Sequence, residues 1–131
     1  MQQQGSVDGS SYIMRLLTNT ITRQGKNYSL PDFDGRGDYW PFLAAGIPAA
    51  ALCSGAEDIK SMEESKEYGG LAQAPYDPCY HKECDDTLNV NLEELALMSC
   101  TLALTLELLV TDCDLRQHLN YPLRHIYKYI Y

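Results

Sequence analysis

The run from Leu95 to Val110 constrains this chain more than any other stretch. Its only charged residue is Glu107, and Glu93 and Glu94 stand just before it. Asn91 suits an N-cap, and Glu94, three residues on, completes a capping-box pattern. This pattern predicts a helix from Asn91 to about Val110. With apolar residues nearly all round, such a helix is expected to lie buried between other elements. A bilayer span asks for about 20 apolar residues, so the run reads as a core helix and no membrane span is expected.

The rest of the chain is punctuated more often. Ser10 or Ser11 can cap a helix whose apolar positions, Ile13, Leu16, Leu17 and Ile21, fall at helical spacing up to about Arg23. Asn27 to Leu30 reads as a short strand. Pro31 and the Asp32 to Gly37 cluster read as a loop. Tyr39 to Ala45 suits a short helix with Pro41 in its first turn, where a missing N–H does little harm. Ile47 to Cys53, short, apolar and flanked by Gly and Pro, suits a buried strand. Ser54 to Pro78 reads mostly as loop, and a loop of that length in a compact domain is usually functional. Residues 111–131 change character: Arg116, His118, Arg124, His125 and Lys128 alternate with Tyr and Ile, as in a short terminal helix.

Bulk properties exclude some functions. Hydrophobic residues make up 45% of the 131, enough for a core and against global disorder. The net charge of -8 argues against binding a phosphate backbone, so no nucleic-acid partner is expected. Five cysteines leave at least one thiol unpaired within the chain. No apolar leader is visible after Met1. Asn27-Tyr28-Ser29 is an acceptor triplet for N-glycosylation and agrees with a secretory location.

The most informative segment is Asp77-Pro78-Cys79-Tyr80-His81-Lys82-Glu83-Cys84-Asp85. Two cysteines five positions apart bracket a histidine. A disulfide between them would stiffen the loop and set the direction of His81, which suits a metal ligand. Alternatively Cys79, His81 and Cys84 could share one metal, although that set lacks the fourth ligand a structural zinc uses and no second Cys/His cluster follows.

A wider pattern bears on that choice. In order, the chain carries Phe33-Asp34-Gly35-Arg36-Gly37-Asp38-Tyr39-Trp40-Pro41-Phe42, Gly46-Ile47-Pro48-Ala49 and Ser54-Gly55-Ala56-Glu57. Ile59-Lys60, Tyr68-Gly69-Gly70, Tyr76-Asp77-Pro78-Cys79-Tyr80-His81, Cys84-Asp85 and Asn89-Val90-Asn91 follow. This ordered set resembles the aminopeptidase Y and bacterial secreted aminopeptidase group of co-catalytic zinc exopeptidases. It covers about 60 residues well, matching the C-terminal part of their catalytic domain. The resemblance implies an α/β fold, the C-terminal portion of a mixed-sheet α/β/α sandwich and thus an incomplete domain. It would occupy residues 1–110, with 111–131 a divergent helical tail. It implies two zinc ions, His81 as a ligand to one of them, Tyr80 stabilising the tetrahedral oxyanion, a Cys79–Cys84 disulfide, and Arg36 near the substrate. Asp38 would take a supporting role. Substrates would be peptides with a free N-terminus, and the location secreted or a vacuolar or lysosomal lumen.

The chain also departs from that group. Gly37 stands where Ser is usual, and Cys53 where a bulky apolar residue lines the side-chain pocket. The group's His-x-Asp pair, Glu-Glu pair and further Asp, which supply the other ligands and the general base, lie upstream of the matched region. No histidine precedes His81 here. Glu63-Glu64 and Glu93-Glu94 sit at positions that do not match the catalytic pair. The chain alone is therefore expected to be inactive. The alternative is a non-enzymatic remnant or partner-binding module that associates through exposed apolar faces. Arg36-Gly37-Asp38 also spells an adhesion tripeptide, but the peptidase motif already accounts for two of its residues.

Overall fold

The computed structural model describes residues 7–30 and 34–120. Among them are five helices: α1 (Ser10–Arg23), α2 (Trp40–Ala44), α3 (Met62–Tyr68), α4 (Leu92–Thr111) and α5 (Leu115–Leu119). The chain divides into two compact units. One takes the described residues up to Leu52 together with those from Leu97 onward, and the other is Cys53–Ala96.

The helices at 10–23 and around 40–45 form where periodicity and the Pro41 position place them, with Pro41 in the first turn of α2. The expected strands do not form. Residues 27–30 and 47–53 have no strand structure, and no strand is present among the described residues. The described residues are thus helical, and the mixed sheet of the α/β reading is not seen among them. An extended segment needs a neighbour to accept and donate its ladder bonds, and none of the described segments runs beside 47–53 to do so.

The nearest approach to a sheet lies in the second unit. Residues 56–60 run beside 73–77, with Lys60 N–H donating to Ala74 O (2.9 Å), Gln73 N–H to Lys60 O (2.8 Å), Tyr76 N–H to Asp58 O (2.9 Å) and Asp77 N–H to Ala56 O (2.8 Å). Ala56 (φ 46°) and Gln73 (φ 59°) are left-handed, so the pairing stays a single antiparallel bridge between Ile59 and Pro75. Lys60 is buried beneath it. Its ammonium donates to Gly69 O (2.9 Å) and lies 4.7 Å from the centre of the Tyr76 ring. Burial, with a hydrogen bond to Glu64, pushes the Tyr76 phenol up to about 12. The expected loop over 54–78 also contains α3, started by a full capping box. Ser61 Oγ accepts from Glu64 N–H (3.1 Å) and Glu64 Oε2 accepts from Ser61 N–H (2.8 Å).

Among the described residues of the first unit the buried apolar side chains are Leu17, Ile21 and Leu43. α4 begins where Asn91 predicts it, with Asn91 Oδ1 accepting from the amides of Glu93 (3.1 Å) and Glu94 (3.2 Å). Its environment overturns the expectation of a buried helix. The side chains it buries are Thr101 and Thr105, while Leu106 is 61% and Val110 72% exposed. Thr101 Oγ1 accepts from Gln24 Nε2 (2.8 Å) at the end of α1, so the polar stripe faces α1 and the leucines face out. By length and composition α4 is also long enough and apolar enough to cross a membrane.

α5 lies within the expected helical tail; residues 121–131, including Arg124, His125 and Lys128, fall outside the described residues. It docks on α1. Gly9 (φ 91°) permits this, since a Cβ there would lie 2.2 Å from Leu119 O. Two groups then donate to one oxygen of Asp112: Tyr12 Oη (2.6 Å) and His118 Nδ1 (2.7 Å), with the Tyr12 and His118 rings stacked at 4.8 Å. Those bonds, Tyr12's first, hold the Asp112 carboxyl below the usual carboxylate range. A group with a depressed folded value stabilises the fold above its unfolded value of about 4, and that contribution is lost as pH falls through the lowered value. Circular dichroism melts taken from pH 7 down to 2 are expected to show destabilisation below about pH 4. Asp112→Asn should start lower at pH 7 and lose that part of the acid dependence; an unchanged acid profile would contradict the assignment.

Candidate functional site

Cys79 and Cys84 form a disulfide with a Cα–Cα distance of 5.3 Å. This decides between the two readings of the loop: the two sulfurs are bonded to each other, which excludes the shared-metal alternative. Within the ring, Lys82 N–H donates to Cys79 O (2.9 Å), and Lys82 Nζ reaches Pro78 O (2.6 Å). His81 sits at the apex of this turn with φ 57°. Left-handed backbone is unfavourable for a non-glycine residue by roughly 1–2 kcal/mol, and it persists where the surroundings over-determine it. Here the crosslink and the turn bonds do so.

The consequence is directional. The imidazole of His81 stacks on the phenol ring of Tyr80, with centroids 4.1 Å apart and planes at 30°. Both side chains are exposed. The two residues singled out for chemistry are therefore brought together, as a phenol donor and an imidazole on one rigid turn.

Asp77 anchors the ring from outside. Its Oδ1 accepts from Asn89 Nδ2 (3.0 Å) and from Cys79 N–H (2.9 Å), and its backbone oxygen accepts from Tyr80 N–H (3.3 Å). The Asn89 bond first, then the Cys79 amide, holds its carboxyl below the ordinary value. Sequence reasoning did not single out Asp77 or Asn89. The available signal was the Asp-Pro step, since an aspartate before a turn commonly accepts from the amide two residues on.

Arg36 belongs to the first unit. Its guanidinium pairs with Asp34, and its amide donates to Asp34 Oδ1 (2.9 Å). The backbone bond from Arg36, then its side chain, holds the Asp34 carboxyl down at about 2. Tyr39 Oη donates to the same Oδ1 (3.1 Å) and accepts from Gly35 N–H (3.2 Å). Gly37 explains how that tyrosine folds back: a Cβ at 37 would lie 2.5 Å from its ring, so the departure from Ser makes room for it. Asp38 and Cys53 are exposed, and Cys53 is a free thiol. Glu63 and Glu64 open α3, and Glu93 and Glu94 open α4, where acidic side chains complement the helix dipole. Among the described residues no group of three or more His, Cys, Asp or Glu is arranged to hold a metal ion.

The relation of the chain to known proteins follows from comparison. The profile of Peptidase family M28 matches residues 2–106. An aminopeptidase of Pseudomonas aeruginosa (strain UCBPP-PA14) is 37% identical over 95 residues, covering 72% of this chain and 18% of the relative. A probable lipoprotein aminopeptidase of Mycobacterium tuberculosis is 36% identical over 105 residues, covering 80% of this chain and 21% of the relative. A probable leucine aminopeptidase 2 of Aspergillus fumigatus is 38% identical over 91 residues, covering 70% and 18%. The chain thus spans about a fifth of the length of the relatives it matches.

If Asp77 anchors the ring, Asp77→Ala should leave the disulfide intact yet speed tryptic cleavage after Lys82 several-fold. Cleavage at the unmodified rate would show that the crosslink alone sets the turn.

Proposed function

The chain belongs to Peptidase family M28, and from that premise we propose that it is part of the catalytic domain of an aminopeptidase acting on peptides with a free N-terminus. The observation that carries this reading is the disulfide-closed turn that sets His81 beside Tyr80. In the proposal Tyr80 donates its phenol to the oxyanion that forms when the scissile carbonyl is attacked, a task suited to a pre-positioned donor. Arg36 lies near the substrate, with Asp34 fixing its guanidinium. Residues 1–110 are the C-terminal part of the peptidase domain and 111–131 a divergent tail. The sheet of the α/β/α sandwich belongs to the complete domain, and the setting is secreted or luminal.

Peptidases of this family depend on zinc. The described residues do not fit such an ion by themselves: His81 offers one imidazole, and Cys79 and Cys84 are bonded to each other. A stable zinc site takes at least three protein ligands. His81 is thus proposed as this chain's contribution to a site completed by other residues of the full domain, and the chain alone is proposed to be inactive. A second reading, a remnant that binds a partner, is favoured by the outward leucines of α4. Each leucine left in water forgoes about 1.5–3 kcal/mol that burial would give.

The deciding assay is hydrolysis of leucine p-nitroanilide by the chain with added zinc. No turnover above the zinc blank is expected, and a longer protein carrying the remaining ligands should hydrolyse it and lose at least about 100-fold on Tyr80→Phe, the scale of one oxyanion donor. Turnover by the present chain that His81→Ala abolishes would overturn the proposal of inactivity. Full activity of Tyr80→Phe in the longer protein would remove the role given to Tyr80.

A further inference from the structure

The triplet Asn27-Tyr28-Ser29 has no part in the site above, and its placement is informative. α1 ends at Arg23, and Gln24 closes it by bonding Thr20 O (3.2 Å) and Thr101 Oγ1 (2.8 Å). Gly25, at φ 72°, turns the chain away, and Lys26 N–H to Ile21 O (3.3 Å) is the last tie to the helix. Beyond it, residues 27–30 lie outside any helix and each is exposed. Asn27, Tyr28 and Ser29 make no hydrogen bond to another described residue. The carboxamide of Asn27 and the hydroxyl of Ser29 therefore face solvent, on backbone that no ladder or helix holds back from a modifying enzyme.

The other asparagines, Asn19, Asn89, Asn91 and Asn120, lack Ser or Thr two positions on, so the sequence has a single acceptor triplet. The Cys79–Cys84 bond supplies a second, independent observation. Disulfides persist in oxidising compartments, among them the lumen in which secreted chains are glycosylated. We propose that Asn27 is an N-linked glycosylation site. In the transfer, Asn27 Nδ2 attacks the anomeric carbon of an oligosaccharide carried on a lipid pyrophosphate. The C–N bond forms and the C–O bond to phosphate breaks. The lipid pyrophosphate departs with the bonding electrons, and the amide proton passes to a base on the transferase. The glycan would stand beside Tyr28 and Leu30, both exposed, and screen that apolar surface.

The test is translation of the full chain behind a cleavable secretion signal in the presence of eukaryotic microsomes, scored on the protease-protected, translocated fraction. The translocated chain is expected to migrate more slowly, to return to its unmodified position with peptide-N-glycosidase, and to carry the resulting aspartate at position 27 by mass spectrometry. Asn27→Gln and Ser29→Ala should abolish the shift, and Ser29→Thr should keep it. Translocated chain that runs unmodified in both the natural and the Ser29→Thr forms would overturn the proposal, as would a glycan that persists in Asn27→Gln.

Discussion

The bond between Cys79 and Cys84 closes a ring too short for any regular element, and the candidate site depends on how that ring is tied down. A crosslink restrains the ends of a segment but leaves its interior a choice of turns. Here Asp77 makes the choice, accepting from the Cys79 amide inside the ring and from Asn89 outside it. With both ends held, His81 occupies left-handed backbone that it would leave in a free peptide, and its ring lies against Tyr80. The second unit thus presents an imidazole and a phenol in a fixed relation without help from a sheet. The buried Lys60–Tyr76 contact supports the same loop pairing from beneath, since Tyr76 precedes Asp77 and its amide bonds Asp58.

Among the described residues of the first unit, few apolar side chains are buried. α4 meets α1 through Thr101, which trades a hydrogen bond with Gln24, and turns its leucines outward. Hydrophobic burial would favour the opposite arrangement, and no described sheet or helix receives those leucines. That inverted helix agrees with a chain that spans about a fifth of its relatives' length. The proposed zinc chemistry has the same character: the partners that His81 would need as a ligand are not provided by the described residues.

Local signals in the sequence were legible where they were self-contained. The Asn91 cap, Pro41 in the first turn of α2 and the apolar spacing from Ile13 to Ile21 each act within a turn or two, and the helices form there. The ordered motifs led to the family, and the M28 match over residues 2–106 agrees. What was not legible depended on partners far away or on fine geometry. The strand expected at 47–53 needed a neighbouring strand. The burial expected of α4 needed a surface to bury it. The helix α3 was hidden because Ser61-Met62-Glu63-Glu64 has no apolar periodicity, although Ser61 and Glu64 spell a capping box. Asp77 was visible in the motif, but its role was not, because that role lies in what its carboxylate accepts.

The disulfide-closed ring sets the backbone of His81 and so aims its imidazole. The most direct measurement is nuclear magnetic resonance of the labelled chain, following the intraresidue HN–Hα coupling and nuclear Overhauser effect at His81 before and after reduction. The oxidised chain is predicted to show the strong intraresidue contact of left-handed backbone and ring-current shifts between His81 and Tyr80, both lost on reduction. Identical signals in the reduced chain, or an oxidised His81 with ordinary right-handed or extended parameters, would show that the crosslink does not set this turn.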